Sequence, residues 1–173
     1  TGHTLNSPRT EVACAMTGTS TAALIVGSQP SSDVVEEYNG SSWTSQTVVP
    51  TAGYARSSSG IQTAALYYGG GSTGFGGTTA AEYNGLSWTN VADLATPRGG
   101  GGSGKGAGTS SLAFMAAGQT PGPSNSNQTE EFTTSIYSPV AATWASGGNL
   151  NTGRQNITGT GTLAASLVFG GTT

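Results

Sequence analysis

The residues able to do chemistry are few, and their spacing limits what they can do. Two acidic pairs, Glu36-Glu37 and Glu130-Glu131, have the make-up of a general acid beside a general base. Successive residues of a strand point to opposite faces, so neither pair converges on one substrate. The stretch Gly99-Gly100-Gly101-Gly102-Ser103-Gly104-Lys105-Gly106 is tempting as a phosphate-binding loop. Such a loop needs Ser or Thr after its Lys and a helix behind it. Gly106 stands there instead, no helix-forming run follows, and the stretch reads as a strand whose small side chains let backbones approach. Cys14 and His3 are the single Cys and His of the chain, too few to ligate zinc. Within Val12-Ala13-Cys14-Ala15-Met16, Cys14 is expected to be a small buried side chain.

The remaining charges fall into a pattern. Lys and Arg number 5 and Asp and Glu 8 in 173 residues, far below the roughly 25% of an ordinary soluble domain. That leaves no basic footprint for a nucleic-acid backbone. Four of the basic residues, Arg9, Arg56, Arg98 and Arg154, each open a segment containing an apolar run closed by glycine. The runs are Thr21-Ala22-Ala23-Leu24-Ile25-Val26-Gly27, Thr63-Ala64-Ala65-Leu66-Tyr67-Tyr68-Gly69, Ala113-Phe114-Met115-Ala116-Ala117-Gly118 and Ala165-Ser166-Leu167-Val168-Phe169-Gly170. After the first two come Glu37-Tyr38-Asn39-Gly40-Ser41-Ser42-Trp43-Thr44 and Glu82-Tyr83-Asn84-Gly85-Leu86-Ser87-Trp88-Thr89; the third copy keeps Glu131-Phe132 and, after an insertion, Trp144. The order Arg, apolar run, Gly, Glu-aromatic, Trp thus repeats about three and a half times, in units 1–47, 48–92, 93–147 and a partial 148–173. In so weakly charged a chain, an Arg and a Glu once per unit imply a structural task, satisfying buried backbone groups or pairing with each other, because a buried ion needs partners.

Positioning these residues calls for strands. Gly, Thr and Ser are abundant (29, 27 and 22), a turn and strand composition rather than a helical one. Each unit reads as four short antiparallel strands. The third and fourth are joined at Asn-Gly, where a tight hairpin with both central residues at positive φ is expected. The near-continuous apolar second strand implies a sheet covered on both faces. Tyr38, Tyr83, Phe132, Trp43, Trp88 and Trp144, at equivalent positions, are expected to pack between sheets. No apolar run is long enough for a membrane span.

This arrangement resembles the kelch repeat, a four-stranded blade of a β-propeller. The likeness is carried by the Arg opening each unit, by Gly69-Gly70 and Gly170-Gly171 after the second strand, and by the Glu-Tyr to Trp spacing. The wording Glu-Tyr-Asn-Gly-Ser-Ser-Trp-Thr is similar to kelch-type repeats of bacteriophage and marine bacterial structural proteins. The resemblance implies an all-β, propeller-type domain over 1–173 whose ring is completed by a longer chain or by further copies, since closed propellers use four to eight blades. Copper-radical oxidases also carry kelch-type propellers, but their copper needs more than one His. The chain is therefore read as a non-enzymatic protein without a cofactor.

On such a scaffold the variable connections carry recognition. These are 28–33, 72–79 and 119–128, with Ser72, Thr73, Phe75, Thr78, Gln119, Asn125 and Asn127 as candidate contacts. They are polar and almost uncharged, suited to other protein subunits or to surface glycan, with no nucleic acid among the expected partners. The expected role is a virion component (tail, fibre or capsid decoration) or an extracellular surface protein. The alternative is a secreted carbohydrate-binding module or accessory propeller of a carbohydrate-active enzyme.

Overall fold

The computed structural model describes residues 3–15, 17–30, 32–71, 76–99, 105–122, 124–134, 143–162 and 165–172. Among them are fourteen strands, all paired antiparallel, and no helix. No described segment is a helix long and apolar enough to cross a membrane. The first sheet is β1 (Ala13–Cys14), β2 (Ala23–Val26), β3 (Val35–Tyr38) and β4 (Trp43–Gln46). The second is β5 (Ser57–Ile61), β6 (Ala64–Tyr68), β7 (Ala80–Tyr83) and β8 (Trp88–Asn90). The third is β9 (Lys105–Gly108), β10 (Leu112–Ala116), β11 (Thr129–Thr133) and β12 (Thr143–Ser146). A two-stranded sheet, β13 (Gln155–Thr162) with β14 (Ala165–Thr172), ends the order. Each sheet is a simple meander, and the described residues form no closed ring.

Alternation within each second strand builds the core. Leu24 and Val26 of β2 meet Ala65, Tyr67 and Tyr83 of the second sheet. Leu66 and Tyr68, on the other face of β6, meet Ala113, Met115 and Phe132 of the third. Phe114 and Ala116 then face Val168 of β14. Both faces of β6 and β10 are thus buried, as their continuous apolar sequence requires. On β14 the outer face is uncovered, leaving Leu167 and Phe169 exposed. Cys14, expected inside, is also exposed. Its neighbours Ala13 and Ala15 turn toward the second sheet, so alternation sends Cys14 to the opposite face.

The first strands β1, β5, β9 and β13 follow one another side by side, and their small residues make the approach feasible. Ser59 Oγ donates to Thr109 O at 3.1 Å, and Ser58 Oγ to Cys14 O. A Cβ on Gly106 would overlap Tyr68 Oη, which donates to Phe114 O at 3.1 Å. Lys105 and Gly106 of the glycine-rich stretch therefore belong to a strand; Gly100 to Gly104 lie outside the described residues.

Two local expectations are corrected. The Asn-Gly hairpins are four-residue loops with positive φ at Gly40 (91°) and Gly85 (90°), not at the asparagines. Asn39 Oδ1 accepts from the amides of Ser41 and Ser42, both at 2.9 Å, and Asn84 Oδ1 does the same for Leu86 and Ser87. The asparagine side chain closes the loop from its first position, an Asx turn. Secondly, Gly118 is not the counterpart of Gly27 and Gly69. Those amides donate to Val34 O and Thr79 O, and in the third unit it is the Ala117 amide that donates to the matching Gln128 O. Ala117 holds φ at 60°, beside 67° and 72° for the two glycines. Gly118 matches Gly70 instead: their amides donate to Arg154 O and Arg98 O, respectively.

Candidate recognition end and the charge network beneath it

The connections after each second strand and those entering each unit lie at one end of the sheets, zipped together through backbone hydrogen bonds. Val49 N donates to Asp33 O, Leu94 N to Thr78 O and Leu150 N to Asn127 O, at 2.7–3.0 Å. Gly53 N donates to Ser32 O, Arg98 N to Gly77 O and Arg154 N to Ser126 O, at 3.0–3.3 Å. Every described loop of the candidate end is thus tied at two places to the entry segment of the following unit.

These bonds also align the repeat more finely than its sequence does. The bridges Thr10 to Gln29, Tyr54 to Gly71, Gly99 to Gln119 and Gln155 to Thr172 make Arg9, Gly53, Arg98 and Arg154 equivalent. Arg56 sits three residues later, contrary to its placement in the sequence alignment. Its side chain nonetheless folds back over Gly53, where an added Cβ would stand 2.7 Å from Arg56 Nε. From there it reaches the shared target. Arg9 Nη1, Arg56 Nη1 and Arg98 Nη1 donate to Val34 O, Thr79 O and Gln128 O, the residue preceding the third strand in each unit. The signal that would have revealed this alignment is Leu5-x-x-Pro8-Arg9, Leu94-x-x-Pro97-Arg98 and Leu150-x-x-Gly153-Arg154.

The carboxylates meeting these arginines are Glu36 and Glu130, one residue before the expected Glu37 and Glu131. Arg98 Nη2 donates to Glu130 Oε1 at 2.8 Å, and Ala95 N and Thr96 N donate to the same carboxylate at 2.7 and 3.2 Å. Glu36 receives Arg9 Nη2 and, at 3.0 Å, Asn6 N. A buried carboxylate so supplied with charge-assisted donors is tolerated. The second unit has Ala81 at this position, and Pro50, which has no amide hydrogen, replaces the donor found at Asn6 and Ala95. Carboxylate, amide donor and in-place arginine are thus absent together from this unit. Arg56 there donates to Thr79 Oγ1 at 2.6 Å and lies 4.7 Å from the Tyr67 ring centre. Burial pushes the pKa of all three guanidinium groups below the ordinary arginine value.

Glu37 has a different task, reaching the next unit. Tyr83 Oη donates to Glu37 Oε1 at 3.0 Å, and Gln46 Nε2 donates to Glu37 Oε2 at 3.1 Å. Burial, and then the hydrogen bond to Glu37 and its charge, push the Tyr83 hydroxyl up to about 12. Trp88 and Trp144, like Tyr83, reach back to the preceding unit. Trp88 stacks on Tyr83 at 4.8 Å and its Nε1 donates to Thr47 O; Trp144 lies 5.2 Å from Phe132 and its Nε1 donates to Ala92 O. Tyr38 and Trp43 pair at 5.0 Å within the first unit. Glu82 and Glu131 share the strand register of Glu37.

Of the candidate contacts, Ser72, Thr73 and Phe75 lie outside the described residues. Thr78 Oγ1 donates to Asp93 Oδ2 at 3.3 Å. Gln119 Nε2 is spent on Gly122 O at 3.1 Å, and half-buried Asn125 bridges back to Gln119. Asn127 is exposed, as are Pro121, Gly122 and Ser124 of the small turn that Thr120 and Ser124 close. Among the described residues, no three His, Cys, Asp or Glu side chains gather as a metal site.

No family model and no curated protein matches the sequence. Among solved structures, one described as "Structure of YjhT" superposes with a TM-score of 0.67 at 12% identity, over 88% of this chain and 54% of that one. The chain therefore spans about half the length of that neighbour, and the likeness is one of all-β fold alone.

Proposed function

We propose that the chain is a non-enzymatic interaction scaffold of kelch-type propeller blades. It would serve as a virion component or extracellular surface protein and present the loop end built from 28–33, 72–79 and 119–128. One observation carries this reading: the arginines of the first three units donate to the chain's own backbone, with Glu36 and Glu130 buried beside Arg9 and Arg98, while the described loops above them are polar and tied by paired backbone bonds. Charges engaged in this way hold loops in place, and the exposed chemistry left at the turn of residues 120–124 and at Asn127 is hydrogen bonding without ions. The virion assignment rests on the likeness of Glu-Tyr-Asn-Gly-Ser-Ser-Trp-Thr to repeats of bacteriophage structural proteins.

The test is a two-part location and binding experiment. The chain should be found in purified virus particles or on cell surfaces, and replacing residues 120–124 with a Gly-Gly link should abolish binding to its protein partner while preserving the melting temperature. Glycan-array binding lost with the same replacement would transfer the assignment to a carbohydrate-binding module. Catalytic turnover by the purified chain would overturn the scaffold reading.

A further inference from the structure

The charge network has a gap in the second unit. Arg9 and Arg98 each face a buried carboxylate, that of Glu36 or Glu130. Arg56 is only 4% exposed, yet among the described residues no carboxylate lies within ion-pair distance of it. Its backbone acceptors are distant, Thr79 O, Thr51 O and Ala52 O at 3.4–3.5 Å, and only Thr79 Oγ1, at 2.6 Å, is close. Arg56 Nε is buried without a hydrogen-bond partner. Asp93, whose charge reaches Arg56, is exposed and spends its oxygens on Ala80 N and Thr78 Oγ1, both at 3.3 Å. A guanidinium taken out of water without a counter-ion is costly, and the face of Tyr67 offsets only part of that cost.

The space for a counter-ion is present. Val49 N and Leu94 N make the same backbone bond, to Asp33 O and Thr78 O, so Pro50 and Thr51 are the counterparts of Ala95 and Thr96. Ala81 precedes Tyr83 by two residues, as Glu130 precedes Phe132. A cavity of about 10 Å³ lined by Pro50, Thr51, Arg56, Tyr67, Ala81 and Asn90 therefore lies where the third unit has the Glu130 carboxylate. Such a volume takes one occupant the size of a water molecule or a monatomic ion. Three donors border it. One is Arg56, and a second is the amide of Thr51, which stands where Thr96 N donates to Glu130 at 3.2 Å. The third is Asn90, exposed on β8 and directly across from Ala81.

We propose that the second unit binds a chloride-sized monovalent anion in this cavity, as the counter-ion that Glu36 and Glu130 supply from within the chain elsewhere. Arg56 gives it charge-assisted bonds, Thr51 N donates as Thr96 N does, and Asn90 Nδ2 closes the rim. A water molecule would fill the same volume without bringing charge to a buried cation. Sulfate and phosphate exceed the volume. The site lies wholly within the second unit and is independent of what the loops bind.

The test melts the 173-residue chain at constant ionic strength while sodium gluconate, an anion too large to enter, is exchanged for sodium chloride. The melting temperature should rise by several degrees and level off, as for a ligand that binds one site of the folded state alone. The chloride NMR line should broaden with the folded chain; bromide should restore its width, and sulfate should not. Arg56→Met withdraws the charge, and Ala81→Val fills the cavity while leaving the charge; each should abolish the chloride dependence. Crystals of the unaltered chain grown in bromide should show an anomalous peak in contact with Arg56 and the Thr51 amide, a readout that holds whether or not the variants fold. Equal melting in chloride and gluconate, or bromide only at other places, would make water the occupant and overturn the proposal. So would displacement of chloride by sulfate, or a chloride effect that survives in a folded Arg56→Met or Ala81→Val chain.

Discussion

Arg98 and Glu130 show how much of a residue's role is set by what would be left behind without it. Glu130→Gln strands a buried guanidinium, and stability measured by urea unfolding should fall by about 3–5 kcal/mol. Replacing both partners with Met should not restore it fully, because the Ala95 and Thr96 amides now at 2.7 and 3.2 Å from Glu130 lose their acceptor, at about 1–3 kcal/mol each. Adding Ala95→Pro, after the pattern of Pro50 opposite Ala81, should recover part of the loss. No recovery would mean the second unit is balanced by something other than the missing amide. Gly53 gives a second residue-scale case. Gly53→Ala drives a Cβ into the Arg56 side chain and should cost about 1–3 kcal/mol in wild type, but clearly less on an Arg56→Met background. Equal costs in the two backgrounds would separate Gly53 from Arg56.

Among the elements, the hairpin loops invite the simplest test. Asn84→Ala removes the acceptor of two amides at 2.9 Å at an exposed turn, and thermal melting should report a loss of about 1 kcal/mol. An unchanged melting curve would show that Gly85 alone sets the turn. The strands themselves were legible in the sequence because alternation, Asn-Gly and the apolar runs each mark them locally. The register of the charge network was not. Arg56 is the one Arg of its unit and matches its counterparts by type, yet it enters three positions late, and the geometry is kept because a flexible side chain folds back over a glycine. Glu37 and Glu131 invited selection because they stand beside the aromatic, whereas the pairing carboxylates, Glu36 and Glu130, have Ala81 as their counterpart in the second unit. A position that is filled differently in one copy is invisible to repeat matching. The exposure of Cys14 escaped for another reason: whether a face is covered depends on a neighbouring sheet.

At the scale of the whole molecule, the seams between sheets contain tyrosines whose hydroxyls resist ionisation. Burial pushes Tyr67 up to about 12, and Tyr68, fully enclosed, is pushed up further; Tyr83 is raised to about 12 by burial and Glu37. The unfolded chain ionises its tyrosines near pH 10. A raised folded value means that this contribution is complete below pH 10 and is lost as the pH climbs toward 12. Melting temperature should therefore fall steeply between pH 10 and 12, with much of the tyrosinate absorbance at 295 nm appearing together with unfolding. Full ionisation by pH 11 with native circular dichroism would contradict the burial of these groups. The two kinds of contact are also divided by address. Arg9 with Glu36 and Arg98 with Glu130 neutralise charge inside one unit, whereas Tyr83, Trp88 and Trp144 bond only to the unit before. The first and third units each carry the counter-ion of their own arginine. Lengthening or shortening the chain by one such unit therefore asks that the aromatic seam, the paired loop ties and the bonds between first strands all be fitted anew.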